Sequence, residues 1–160
     1  MSVKLASELA AYLRSKRNIL LLTGSLCDEV DFDDKKLLDY AAEIAIKLDV
    51  PVAATANTPL GIKARGVKSV RKMWAAEVVN FMRYPWEEPI MEQKPEVLVF
   101  IGYPPAVASR LVSAVEEVET VVLGNTYVEE ATYSLPESPS LLRWQQSLEQ
   151  LIQSLATPRS

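Results

Sequence analysis

Apolar residues are distributed along the chain in two alternating ways. Four short runs, Ile19 to Leu22, Val52 to Ala54, Val97 to Ile101 and Val121 to Leu123, are almost unbroken in Val, Ile, Leu and Ala. Unbroken runs of this length are the pattern of strands covered on both faces, as in a parallel sheet. Around them the apolar positions recur every three to four residues. Leu5, Leu9 and Tyr12 form one such stripe, Leu37, Ala41, Ile44 and Leu48 a second, and Val67, Val70, Trp74, Val78 and Phe81 a third. Val107, Leu111, Val115 and Val118 form a fourth, and Leu141, Trp144, Leu148, Leu151 and Leu155 close the chain. Each stripe predicts a helix with one face turned inward. Strands alternating with helices predict right-handed crossovers and an α/β fold of three layers, a parallel sheet with helices on both faces.

The boundary residues fit this layout. Asp33 is placed to cap the helix containing Leu37, Ser138 and Pro139 suit the start of the last helix, and Pro104 with Pro105 marks an abrupt entry into the fourth. Tyr84 to Pro95, with prolines at 85, 89 and 95, predicts a long surface loop. Residues 1–156 are expected to form one α/β domain and 157–160 a loose tail.

Composition narrows the chemistry more than it narrows the fold. With 160 residues at 49% hydrophobic, the chain can bury one sizeable core. Lys and Arg total 17 against 21 Asp and Glu, a net charge of −4, so no global positive field draws it to nucleic acid or to anionic lipid, and neither partner is expected. No apolar run approaches the roughly 20 residues of a membrane span. Lys4 and Glu8 interrupt the first helical pattern, which is not that of a signal peptide. There is no histidine, and the single cysteine, Cys27, excludes an intrachain disulfide and suits a reducing cytoplasm. Without histidine or a cysteine cluster, most metal centres and the usual histidine-based acid–base sites are removed.

In an open parallel sheet, ligands meet the loops that leave the carboxyl ends of the strands. Here these are Thr23-Gly24-Ser25, Thr55-Ala56-Asn57-Thr58, Gly102-Tyr103-Pro104 and Gly124-Asn125-Thr126-Tyr127, all small and polar. Thr23, Gly24, Ser25, Thr55, Asn57, Thr58, Gly102 and Tyr103 are therefore the candidate cofactor-binding residues, for a nucleotide or flavin held by backbone N–H groups. The alternative is that these are only the turns the architecture requires. Neither a G-x-G-x-x-G fingerprint nor a P-loop is present, and Thr55 stands where a dinucleotide fold would carry its ribose-binding acid. Cys27 is followed by Asp28, Glu29, Asp31, Asp33 and Asp34, an acidic neighbourhood that disfavours a thiolate and predicts an inert thiol. That acidic run lacks the ligand spacing of a calcium loop, so no metal site is expected. Thr23, Ser25 and Thr58 have no histidine to activate them, and no catalytic residue is predicted.

Lys63, Arg65, Lys68, Arg71 and Lys72 form the one basic cluster, which leads into the third stripe. Met73, Trp74, Val78, Val79, Phe81, Met82, Tyr84 and Trp86 then place apolar side chains on more of that helix than one inward face needs. Residue types enriched at interface cores make this region the predicted docking surface. An exposed apolar helix also predicts a homodimer or higher homo-oligomer when the chain is isolated.

These segments together resemble a known family. The N-terminal helix followed by KRNILLLTGS, the stretch KLLDYAAEIAIKLDVPVAATANT, the Pro85-Trp86 pair, PEVLVFIG, and TYVEEATYSLP with a closing helix are similar to the epsilon subunit of the archaeal carbon monoxide dehydrogenase/acetyl-CoA synthase complex, also called acetyl-CoA decarbonylase/synthase. The chain departs from that pattern at Asn57 and over Glu87 to Lys94. The resemblance implies a doubly wound, Rossmann-like sheet similar to the nucleotide-binding central domain of thiamine-diphosphate enzymes, with no tightly bound cofactor and FAD as the possible one. It implies a non-catalytic accessory subunit of one-carbon metabolism that docks on the nickel and iron-sulfur alpha (catalytic) subunit, assisting electron transfer to a flavin or stabilising that subunit. The alternative is a stand-alone flavin- or nucleotide-binding electron-transfer protein.

Overall fold

The structure, a computed structural model, describes residues 3–55, 57–87 and 89–156, so the expected tail at 157–160 lies outside the described residues. Six strands form one sheet: β1 (Ile19–Thr23), β2 (Val52–Ala54), β3 (Val70–Lys72), β4 (Val97–Ile101), β5 (Glu119–Val122) and β6 (Tyr133–Ser134). Their order is β3-β2-β1-β4-β5-β6 and every neighbouring pair is parallel. The order reverses direction between β1 and β4, which defines a doubly wound α/β fold.

The register at the centre pairs Ile19 with Val97 and Thr23 with Ile101, and every residue of both strands is buried. Alternate side chains serve opposite layers. Ile19, Leu21, Val97 and Val99 pack against α1 (Ala6–Arg14), α3 (Leu37–Leu48), Ile62 of α4 (Thr58–Ala64) and α7 (Leu141–Ala156). Leu20, Leu22, Leu98 and Phe100 face α5 (Ala75–Met82) and α6 (Pro105–Ser113). A one-turn helix, α2 (Leu26–Glu29), sits directly after β1. Among the described residues, no helix is long and apolar enough to cross a membrane.

Local chemistry sets the helix starts. The backbone N–H groups of Leu5, Lys36 and Trp74 each donate to a carboxylate three residues on, Glu8, Asp39 and Glu77, at 2.9, 2.8 and 3.1 Å. Each carboxylate satisfies a donor at the start of α1, α3 or α5 and lies at the positive end of the helix dipole. Pro104 and Pro105 open α6 as expected.

Several expectations are corrected. Asp33 does not cap α3: its backbone is left-handed (φ 73°) and its N–H donates to Asp31 Oδ1 at 2.9 Å, inside a tight turn. The last helix starts after Ser140, whose hydroxyl accepts from the N–H of Arg143 at 3.2 Å, and not at Ser138. The third stripe is not one helix, because Val70 to Lys72 extend along β2 as an edge strand before α5 begins. In α6 the inward positions are Ala108 and Val112, one residue on from the expected Val107 and Leu111. Residues 83–87 and 89–95 contain neither helix nor strand, as expected for the surface segment.

Candidate functional site

The candidate residues meet where the strand order reverses. Past the end of β1, the N–H of Gly24 donates to Ile101 O at 2.9 Å, and past β2 the N–H of Thr55 donates to Thr23 O at 3.0 Å. The chain then turns sharply, and here glycine is required. A β-carbon on Gly24 would meet the carbonyl of Gly102, and Gly102 has φ +85°, a conformation that side chains disfavour. The turn is closed by Leu26 N–H donating to Gly102 O at 3.0 Å, Cys27 N–H to Gly24 O at 3.0 Å, and the Cys27 thiol to Ile101 O at 3.4 Å.

Beside this backbone contact lies a chain of hydroxyls. Thr58 Oγ1 donates to Thr55 O at 2.8 Å, which uses its only proton. In the 3.0 Å contact between Thr23 Oγ1 and Thr58 Oγ1, Thr23 is therefore the donor. Both threonines have 0% exposure. Thr55 Oγ1 continues the chain to the Tyr103 hydroxyl at 3.3 Å. At the rim, Asn57 Nδ2 donates to Asp28 Oδ2 at 2.9 Å, and Asp28 lies 3.8 Å from Lys36 Nζ. Six of the eight candidates, Thr23, Gly24, Thr55, Thr58, Gly102 and Tyr103, thus join directly at the crevice. Ser25 stands beside them in the α2 turn, and Asn57 is exposed at the rim.

The electrostatics of this corner favour neutral groups. Burial pushes the Cys27 thiol up to about 12, against a smaller opposing effect of the bond from the Gly24 backbone, and the nearby Asp28 charge adds to the rise. Burial is thus the main cause that favours the protonated thiol, and the acidic neighbours expected to do so are a minor one. Burial likewise raises the Tyr103 hydroxyl well above its ordinary value, partly offset by its bond with Thr55.

The loop after β5 contributes to a neighbouring cavity of about 150 Å³, lined by Leu26, Tyr103, Asn125, Thr126, Val128 and Trp144 among others. That is smaller than the roughly 300–1,000 Å³ of ordinary small-molecule sites. Trp144 and Asp28 are the site neighbours that the sequence left unmarked. Trp144 lies more than a hundred residues from β1 and comes close only through the packing of α7; Asp28 was absorbed in the acidic run. Among the described residues, no group of three or more His, Cys, Asp or Glu side chains is placed to hold a metal ion.

The predicted docking region divides in two. Met73, Val78, Val79 and Met82 are core residues, and the indole N–H of Trp86 donates to Met91 O at 2.8 Å within the 83–95 segment. Trp74 and Tyr84, at its two ends, remain 61% and 62% exposed.

The fold and this corner define a class: a doubly wound α/β domain with a close glycine–glycine backbone contact and a run of hydroxyl hydrogen bonds at its strand-end crevice. Comparison with known proteins adds relatives. The chain is 26% identical over 129 residues to the acetyl-CoA decarbonylase/synthase complex subunit epsilon 1 of Archaeoglobus fulgidus, covering 76% of this chain and 65% of that protein. It is 29% identical over 96 residues to the acetyl-CoA decarbonylase/synthase complex subunit epsilon of Methanothrix soehngenii, covering 59% of this chain and 49% of that protein. The match thus spans less than two thirds of the length of either curated relative. No family model matches the chain. The resemblance to epsilon subunits seen in the sequence segments is upheld by both relatives.

Proposed function

We propose that this chain is a non-catalytic, epsilon-type accessory subunit of an acetyl-CoA decarbonylase/synthase complex, docking on the nickel and iron-sulfur alpha subunit and stabilising it. The observation that carries this reading is the similarity to two named epsilon subunits over as much as 76% of the chain. The composition supports it. A chain with no histidine and one buried cysteine holds no ligand set for a nickel or iron-sulfur cluster, so the metal chemistry falls to the partner.

The test is anaerobic co-purification of the tagged chain with the alpha subunit. Recovery in near-equal amounts, with a longer half-life of carbon monoxide oxidation in the complex than in the alpha subunit alone, is the expected result. Separate elution at low salt and micromolar concentration overturns the proposal.

The assistance to a flavin that the resemblance implies would fall to the crevice. There the N–H groups of Leu26 and Cys27 already donate to Gly102 and Gly24, so a phosphate held by these two N–H groups would have to displace those bonds. Calorimetric titration with FAD decides the point: heat of binding supports an electron-transfer role, and its absence leaves stabilisation as the subunit's contribution.

A further inference from the structure

The charge of this chain is unevenly placed. Residues 50–76 contain five cations, Lys63, Arg65, Lys68, Arg71 and Lys72, and no carboxylate, so the remainder of the chain carries −9. This stretch folds into β2, α4 and β3, one edge of the sheet. Two of its cations are engaged inward: Arg65 Nε donates to Asp39 Oδ1 at 2.7 Å, and Arg71 donates to Pro89 O. Lys63, Lys68 and Lys72 are exposed, and none is paired with a carboxylate among the described residues.

Two large apolar side chains share this edge. Leu60, in the first turn of α4 after β2, is 81% exposed, and Trp74, just past β3, is 61% exposed. Because β2 and β3 are parallel, both lie at the carboxyl end of the edge, with Lys72 beside Trp74 and Lys63 one turn on from Leu60. Exposed Leu60 and Trp74, with Lys63 and Lys72 near them, supply apolar side chains that docking would desolvate and cations for a charged rim.

We infer that the face made by α4 and β3 is the docking surface of this chain, and that it receives an acidic protein surface with apolar side chains at its centre. Charge complementarity selects this occupant. A second copy in symmetric contact would set the same cations against each other. Nucleic acid would be held by the lysines but would leave Leu60 in water, because an aliphatic side chain offers no stacking platform for a base. The inference deepens the accessory-subunit reading by naming the surface and the chemistry of its partner, and it rests on that reading for the partner's identity.

Two measurements separate the surface from the identity. In the first, the full chain is titrated by fluorescence anisotropy at 50 mM salt with a labelled peptide of alternating Glu and Phe and with poly(U) of equal charge. The peptide is expected to bind at least tenfold more tightly than poly(U), and to lose at least tenfold with Lys63→Glu/Lys72→Glu or with Leu60→Ser/Trp74→Ala. Lys94→Glu, an exposed lysine outside this face, should leave binding unchanged. Failure of the peptide to bind, equal or tighter binding of poly(U), or equal loss in the Lys94 variant overturns the inference. In the second, the same variants are offered to purified alpha subunit. Wild-type binding that both double variants weaken at least tenfold supports the surface and the identity together. Alpha-subunit binding that the double variants leave intact overturns the surface and spares the accessory role. Peptide binding through this face with no binding of the alpha subunit supports the surface and overturns that role. All substituted side chains are exposed, and matching thermal midpoints exclude unfolding as the cause.

Discussion

A β-carbon on Gly24 would stand 2.3 Å from the carbonyl oxygen of Gly102, so the two glycines meet in direct backbone contact at the centre of the sheet. No β-carbon tolerates that distance, and the obstruction is main chain that cannot swing aside.

Gly24→Ala is therefore expected to cost about 2–3 kcal/mol of stability, in the range of an overpacked core. Gly102→Ala should cost at least as much, because its φ of +85° is strained for alanine and its β-carbon would meet Cys27 Sγ at 2.4 Å. Ser25→Ala, in the same turn, should stay within about 0.5 kcal/mol. Urea unfolding of the three variants checks this ordering, and a Gly24 variant as stable as the Ser25 variant contradicts the close Gly24–Gly102 contact.

The buried hydroxyl pair makes a second prediction. Thr23→Val leaves Thr58 an unused acceptor, whereas Thr58→Val leaves the Thr23 proton without its acceptor and the Thr55 carbonyl with the Thr58 backbone N–H alone. Each single change should cost about 1–3 kcal/mol, with Thr58→Val the larger. Replacing both should cost less than the two together, because neither then strands the other. Strict additivity in the double-mutant cycle, within about 0.3 kcal/mol, would show that the two hydroxyls do not depend on each other.

Much of this arrangement was legible in the sequence, for a reason that also marks where legibility ends. β1, β2 and β4 were visible because both faces of each are covered and their side chains are almost all apolar. β5 was legible only in Val121 and Val122, since it begins at the polar Glu119 and Thr120 and ends before the expected Leu123. β3 was not, because an edge strand of Val-Arg-Lys presents cations to water and its valine falls in step with a helical stripe. β6 was missed because two residues carry no periodicity. The strand-end loops followed from the strands, so the candidate residues were found. That Gly24 rests on Gly102 and that α2 lasts a single turn depend on contacts between segments nearly eighty residues apart, which local pattern does not encode.

Acid should loosen the link between α3 and α4. Burial works against the charge on Asp39, but the Lys36 N–H and the Arg65 guanidinium at 2.7 Å outweigh it and hold its carboxyl below the usual range. A depressed folded value means that the stabilisation is complete above the unfolded carboxylate pKa of about 3.9 and is lost as pH falls through the folded one. Asp39→Asn should thus lower stability by about 1 kcal/mol at pH 7. The gap from wild type, measured by chemical denaturation between pH 7 and pH 3, should narrow only below about pH 4. A gap that is the same at both ends of the range would assign the effect to something other than ionisation.

Cys27 provides a fourth test. A thiol held near 12 by burial is almost entirely protonated at pH 8, whereas an unfolded cysteine near 8.5 is partly thiolate. Reaction with a disulfide reagent should be slower in the native chain than in urea by about a hundredfold or more. Equal rates in the two states would mean that the β1–α2 turn is open in solution.

The pairing of Ile19 with Val97 has a consequence for how the molecule is made. As the chain leaves the ribosome, β1 can gather β2 and β3 through nearby crossovers, yet its other edge stays unpaired until β4 has been synthesised. The nascent half-sheet thus presents the apolar ladder Ile-Leu-Leu-Leu to any other growing chain during that interval. Slowing translation between the codons for β3 and β4 should raise aggregation more than slowing it after β4, because the centre of this sheet stays open until β4 arrives.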